Sequence, residues 1–397
     1  MDQKTNLQTK EYQSVEEILQ MIFKTALIED ASDIHIEPLA KGMRIRFRVD
    51  GIMREKFLGS ANQLEQILNR LKVLSGLDIT RHNVPQDGHF EITPDAESKE
   101  TNIRISTFPT IYGDGETAVL RILDRVEMLF SIEELGMDKD ALEAVERIMA
   151  KSYGMTLVTG PAGSGKTTLL YSLLKRQETK EKNIITLEDP VEFRFDEMRQ
   201  TQMKPEQELT YASAMRSILR QDPDLIMVGE IRDPETAEYA VRAALTGKMI
   251  YSTIHSNSTI GTIERLAEMK VERSLIAYAL NGVIAKRLVR TVCPYCKSEY
   301  QPAENYLKLF GLDKNARHTF IKGAGCDRCA QTGFQSRIGV FEVLELDDVI
   351  RSLIIEKAPP IKLQKYAESA HMKTLKQDAL DKILTGITTI EEAIKVI

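Results

Sequence analysis

The stretch that most constrains this chain is MTLVTGPAGSGKTTLLYSLL, residues 155–174. Met155, Leu157 and Val158 make a short apolar run of the kind that forms a buried strand, and Leu169, Leu170, Leu173 and Leu174 recur at helical spacing. Between them lies GPAGSGKT, residues 160–167, which matches the phosphate-loop pattern G-x-x-x-x-G-K-[ST]. Glycines let successive backbone N–H groups turn inward on a phosphate, and the positive end of the following helix points there too. Lys166 is placed to reach the β and γ phosphates and Thr167 to ligate Mg²⁺. The bland alternative is a glycine-rich turn that binds nothing, and the flanking strand and helix argue against it.

Downstream, short apolar runs at 184–187, 225–228 and 249–254 alternate with helical patterns. Such alternation implies an α/β fold with a parallel sheet, in which phosphate chemistry sits at the C-terminal ends of the strands. Glu188 and Asp189 close the first run, where carboxylates can orient Mg²⁺ or its waters. Glu230 closes the second, LIMVGE, where it can polarise an attacking water. His255 closes the third, in STIHSN. A lone histidine is more often structural, but its place at a third strand end supports sensing of the γ phosphate. Asp233 and Pro234 begin a helix by the N-cap and N1 rules, and Gly247 ends it.

At 397 residues the chain exceeds one ordinary core. Ahead of the phosphate loop, Ser14 and Glu17 form a capping-box pattern, and Val15, Ile18, Leu19, Ile22, Phe23 and Ala26 trace one helical face. In MRIRFRVDG the residues Met43, Ile45, Phe47 and Val49 alternate with Arg44, Arg46 and Arg48, and Asp50-Gly51 signals a hairpin. The arginine face is either a solvated surface or a binding face. A helix over 61–76 and strands over 102–107 and 117–123 complete an α+β domain, and a linker then leads to a helix over 139–150. Helical spacing resumes beyond Ser274, and Leu363, Leu375, Leu380, Ile383 and Leu384 indicate a helical end.

All four cysteines fall in CPYC and CDRC, namely Cys293, Cys296, Cys326 and Cys329. Two C-x-x-C turns suit a tetrahedral zinc site, because each brings two thiolates to one ion. The net charge of −6 disfavours bulk nucleic-acid binding. No apolar run approaches the roughly 18 residues of a membrane span, and the first residues lack a signal-peptide core, so a cytoplasmic protein, peripheral to a membrane, is expected.

Taken together, ASDIHIEP, RFRVDG, DITRHNVPQDG, STFPTIYGDGE, GPAGSGKTT, ITLEDPVE, LRQDPDLIMVGEIRDPETAEYAVRAALTG, STIHSN, the two C-x-x-C pairs and LTGITTIEEAIKV resemble the secretion ATPases of type II secretion, type IV pilus assembly and competence pili. The resemblance covers residues 14–397. It implies a hexamer whose subunits join an N-terminal PAS-like α+β domain to a RecA-like P-loop motor domain with a zinc-binding insertion and a helical C-terminal region. The expected bounds are a frayed terminus at 1–13, the PAS-like domain at 14–125, a linker at 126–137, the motor at 138–290, the tetracysteine zinc module at 291–330 and the C-terminal subdomain at 331–397. ATP, Mg²⁺ and Zn²⁺ are the implied cofactors, and an inner-membrane platform protein is the implied partner.

By the same resemblance Gly160, Pro161, Ala162, Gly163, Ser164, Gly165, Lys166, Thr167 and Thr168 bind nucleotide. Glu188 lies in the Asp box, Glu230 is the catalytic Walker B glutamate and His255 belongs to the His box. Arg104 and Arg121 match arginines that reach nucleotide phosphates from the N-terminal domain, and the tetracysteine set matches the zinc module of extension-type motors. Ala162, Lys248 and His89 depart from the residues usual in the family. Residues 1–30 are all that precede ASDIHIEP, so the separate docking domain of many members is expected to be missing, as in competence-pilus and minimal pilus ATPases. The competing reading is a RecA-like nucleic-acid translocase whose zinc module grips DNA; salt-dependent DNA binding would distinguish it.

Overall fold

The computed structural model describes the backbone of residues 5–6 and residues 14–93, 101–112, 115–123, 131–177, 181–204, 207–313 and 318–397. The expected frayed terminus, apart from the backbone at 5–6, and positions 126–130 of the expected linker lie outside the described residues. The chain divides into two compact units, Met1–Glu127 and Met128–Ile397.

The N-terminal unit contains β1 (Thr5–Asn6), α1 (Val15–Ile28), β2 (Ala31–Leu39), β3 (Gly42–Val49), β4 (Ile52–Gly59), α2 (Ala61–Leu74), β5 (Gln86–Ile92), β6 (Thr101–Pro109) and β7 (Glu116–Ile122). Its sheet runs β1-β4-β3-β2-β7-β6-β5, antiparallel except where β1 joins β4. The Ser14 hydroxyl accepts from the Glu17 N–H and starts α1. Ile18, Leu19, Ile22 and Phe23 of α1, with Leu64, Ile67, Leu68 and Leu71 of α2, pack on one sheet face against Ile34, Ile45, Phe47, Ile103 and Leu120. Full burial of each such side chain stabilises the unit by about 2 kcal/mol before chain entropy is counted. Asp50 (φ 49°) and Gly51 (φ 80°) both take positive φ, which makes the tight turn between β3 and β4. The alternation in β3 leaves Arg44, Arg46 and Arg48 on the polar face.

The C-terminal unit begins with a turn of 3₁₀ helix (Ile132–Leu135) whose Ile132 and Leu135 are buried in that unit's core, so this part of the segment expected as a linker is packed. There follow α3 (Lys139–Met149), β8 (Gly154–Thr159), α4 (Lys166–Arg176), β9 (Ile184–Glu188), β10 (Arg199–Gln202), α5 (Tyr211–Ile218), β11 (Leu225–Val228), α6 (Pro234–Leu245), β12 (Met249–Ile254), α7 (Thr259–Glu268), α8 (Arg273–Ala279) and β13 (Leu280–Val292). Next come β14 (Lys297–Tyr300), α9 (Glu304–Leu309), β15 (Phe320–Gly323), β16 (Phe334–Glu345), α10 (Asp348–Ile355), α11 (Pro360–Ser369), α12 (Leu375–Leu384) and α13 (Ile390–Ala393). The main sheet runs β10-β9-β11-β12-β8-β13-β16, parallel up to β13 and antiparallel at β16. Strands β8, β11 and β12 are buried throughout, as expected of a parallel sheet covered on both faces.

Two expectations are corrected. Residues 280–292 form a strand, not a continued helix, and residues 334–345 form a second long strand inside the region expected to be helical. Continuous apolar runs do not separate strand from helix by period, and here β13 pairs with β8 on one side and β16 on the other.

Candidate nucleotide site

The phosphate loop leaves the C-terminal end of β8 and turns into α4 through Gly165, whose φ of 77° lies in the left-handed region and makes it the N-cap. A Cβ on Gly160 would stand 2.5 Å from the Lys286 carbonyl oxygen, so only glycine allows this approach of loop to β13. Lys166 donates to the loop's own carbonyls, Gly160 at 2.8 Å and Pro161 at 3.1 Å. Burial lowers the Lys166 pKa; Glu230 opposes that shift and Arg287 adds to it. Ser164 Oγ is buried without a protein partner inside the loop, a polar atom suited to an oxygen-rich ligand.

Strands β11 and β12 stand side by side, with β12 paired to β8, and their tips deliver Glu230 and His255. The Thr253 hydroxyl donates to the Gly229 carbonyl at 2.7 Å, and Ile231 N–H to the Thr253 carbonyl at 2.9 Å. On the other side Thr159 donates to the Ser256 carbonyl at 2.9 Å and accepts from Ser256 N–H at 3.0 Å, which locks the His255 segment to the start of the phosphate loop. Glu230 takes His255 Nε2 at 2.8 Å on one oxygen and Arg232 Nε at 2.7 Å on the other. Its side chain is 12 % exposed and that of His255 55 %, so the pair opens to solvent at the histidine. Arg232, held in its charged form by Glu230, is a site residue that the motif reading missed; its place two residues beyond the strand tip was the available signal.

Glu188, expected to orient magnesium, is turned inward instead. One carboxylate oxygen accepts from Tyr171 Oη, and the other from Thr186 Oγ1 at 2.5 Å and Gln200 Nε2 at 3.0 Å. Burial, and then Glu188 itself, push the Tyr171 pKa far up, so the phenol keeps its proton and donates it. The residue is 3 % exposed and braces α4 against β9 and β10. A carboxylate at a strand tip faces either the loop or the helix behind it, and the donors on Tyr171 and Gln200 select the second.

The four cysteines converge. Sγ atoms of Cys293 and Cys326 are 3.9 Å apart, those of Cys296 and Cys329 3.9 Å, and those of Cys326 and Cys329 3.7 Å. A tetrahedron with Zn–S bonds of about 2.3 Å has S···S edges of about 3.8 Å, so the set fits zinc. Burial opposes ionisation of both Cys296 and Cys329, and within the set N–H groups of Cys326 and Gly333, both at 3.2 Å, lower the Cys329 thiol while burial raises that of Cys296. β14 and β15 form a two-stranded hairpin between the two cysteine turns.

Arg104 and Arg121 belong to the N-terminal unit. They are direct cross-strand neighbours on β6 and β7, and Arg121 Nε donates to Asp33 at 3.0 Å. Like charges in that register repel unless an anion lies near, and Asp33 serves Arg121. His89 pairs with Arg104 from β5, so the departure at position 89 extends the same polar row. Lys248 reaches Asp222 at 3.8 Å at the opposite, N-terminal end of β12, away from the phosphate loop.

A phosphate loop at the end of a central parallel strand, with a carboxylate and a histidine on adjacent strand tips, defines a P-loop nucleotide hydrolase. The model of the family described as Type II/IV secretion system protein matches residues 8–395, and the chain belongs to that family. It is 40 % identical over 379 residues to the Type II secretion system protein E of Pseudomonas aeruginosa, covering 96 % of this chain and 74 % of that protein. It is 41 % identical over 385 residues to the Type IV pilus assembly ATPase PilB of Thermus thermophilus, covering 96 % of this chain and 43 % of PilB. Among solved structures, the pilus retraction motor PilT with bound ADP aligns with a TM-score of 0.65 at 26 % identity over 96 % of each chain. The ATPase DotB of Legionella pneumophila shares the fold, with a TM-score of 0.74 at 22 % identity over 100 % of this chain and 99 % of its own. The chain is an ATPase.

Proposed function

We propose that this chain is a homo-hexameric cytoplasmic motor that hydrolyses ATP to drive assembly of a type IV pilus or a type II secretion pseudopilus. Family membership supports this reading over that of a nucleic-acid translocase. The single observation that carries the chemistry is Glu230, held between His255 and Arg232 at a strand tip beside the phosphate loop. Residues 160–168 cradle the phosphates, and Lys166 exchanges the Gly160 and Pro161 carbonyls for phosphate oxygens. Thr167 would hold Mg²⁺, which when bound neutralises charge on the β and γ oxygens. Glu230 accepts a hydrogen bond from the attacking water and aims it; His255, sharing that carboxylate, reports the γ phosphate to the β12 segment.

Within this reading the N-terminal unit is the PAS-like domain, and Arg104 and Arg121 offer guanidinium groups to the charge that develops on the phosphate. The C-terminal unit is the RecA-like motor, and Cys293, Cys296, Cys326 and Cys329 would hold a zinc ion whose role is structural. Among the described residues no helix is long and apolar enough to cross a membrane. In this reading a platform protein at the inner face of the membrane receives the motor's work. The test is complementation: a strain lacking this gene receives the wild-type chain or Glu230→Gln, and surface pili and secreted proteins are scored. Wild type restores one of the two and the variant neither; restoration by the variant would refute the motor role.

A further inference from the structure

We propose that Lys286 on β13 is a positioning residue for the phosphate loop: its ammonium holds the Gly165 carbonyl and so aims the Lys166 N–H at the nucleotide phosphate. The inference rests on the reading that phosphates sit on residues 160–168. Lys286 is 2 % exposed, and its Nζ donates to the Gly165 oxygen at 3.1 Å. Its own carbonyl is the atom that a Cβ on Gly160 would strike, so one residue brackets the loop at its first glycine and at its last. Arg287 fixes that carbonyl from the other side, donating to it at 3.0 Å and to Asn257 O at 2.7 Å.

The Gly165 carbonyl and the Lys166 N–H belong to one planar peptide and point in opposite directions. A cation on the oxygen polarises the N–H, making it a stronger donor to an anion. An ammonium kept for packing alone would be a poor choice, since burying it with a single acceptor costs more than an apolar side chain would. The groups facing Lys286 are the carbonyl of Gly165, the N-cap of α4, and the Phe341 ring at 5.6 Å and Arg337 from β16. Neighbouring Arg287 is turned to Asn257, and no described carboxylate forms an ion pair with Lys286. Burial and then Arg337 bring the Lys286 pKa down to about 8, so it is charged at pH 7 and neutral at pH 9.

The experiment measures the affinity of the full chain for a fluorescent ADP with Mg²⁺ at pH 7 and pH 9, using wild type, Lys286→Met, Lys286→Gln and Lys166→Ala. Wild type is expected to weaken about fivefold between the two pH values, the difference between a charged and a neutral donor on the Gly165 carbonyl. Lys286→Met should be weakened at least about fivefold at both, while Lys286→Gln, which keeps a donor without the charge, should bind at both pH values about as wild type does at pH 9, with no fall between them. Wild-type affinity in Lys286→Met, or the full fall with pH persisting in Lys286→Gln, overturns the proposal. Should Lys286→Met not fold, the Lys286→Gln profile decides alone. Unchanged binding by Lys166→Ala would instead overturn the underlying phosphate-loop reading, and this inference with it.

Discussion

Replacing Glu188 by glutamine separates a structural brace from a magnesium ligand. Gln200 is oriented by Phe195 N–H, which donates to its oxygen at 2.7 Å, so its Nε2 must donate toward Glu188. The new amide oxygen therefore takes the side facing Thr186 and Gln200, and the amide nitrogen faces Tyr171 Oη. Tyr171 must turn from donor to acceptor. Three bonds to a charged acceptor become neutral ones, each weaker by about 1 kcal/mol, and relief of a buried charge returns part of this. The net loss is about 2 kcal/mol, or about 4–8 °C in the melting midpoint of the C-terminal unit. Thermal melting followed with and without ADP, beside steady-state ATP turnover, reads both quantities. Turnover per folded molecule should stay within about twofold of wild type, since Glu188 is 3 % exposed and does not present a free oxygen. A loss of about a hundredfold in turnover with an unchanged midpoint would refute the reasoning and return Glu188 to the catalytic set.

Elemental analysis should find about one zinc per chain, and Cys326→Ser should lose both metal and the order of the β14–β15 hairpin while nucleotide binding persists; an iron–sulfur spectrum would contradict this. Arg104→Ala and Arg121→Ala should each reduce turnover by about tenfold or more, with little change in melting for the exposed Arg104 and a modest fall for Arg121, whose loss takes a donor from buried Asp33; rates near wild type for both would exclude a role in hydrolysis. Glu392 is buried, yet bonds from Arg290, at 2.8 and 2.6 Å, and from Lys395 hold its carboxyl below the usual range. Its contribution is thus present above the unfolded carboxyl pKa and is lost as pH falls through the lower folded value. Glu392→Gln should cost about 2 kcal/mol at pH 7 and progressively less below about pH 4; a constant difference across that range would refute the assignment.

The phosphate loop, the strands at 184–187, 225–228 and 249–254 and the cysteine pairs were legible because each is a local pattern with a local cause. Glycines that take positive φ, buried runs bounded by turns and C-x-x-C corners act over a few residues. β13 and β16 were not legible in that way: LNGVIAKRLVRTV is apolar enough for either element, and partners distant in sequence, β8 and one another, decide it. The direction of Glu188 was hidden for a similar reason, since its donors lie on α4 and β10. Lys286 carries no motif, and its role emerges only when the strand order brings β13 under the loop, whereas Arg232 reaches Glu230 through a local contact two residues away that the motif reading passed over.

The most direct test of the account is the Glu230→Gln variant, with ATP turnover and nucleotide affinity measured on the same preparation. The substitution keeps the shape between His255 and Arg232 and removes the charge proposed to polarise the attacking water. The account predicts that turnover falls by about a hundredfold or more while the affinity for ATP changes by less than about threefold. Turnover close to that of wild type would contradict it, because the carboxylate at the tip of β11 would then not be the group that activates the water.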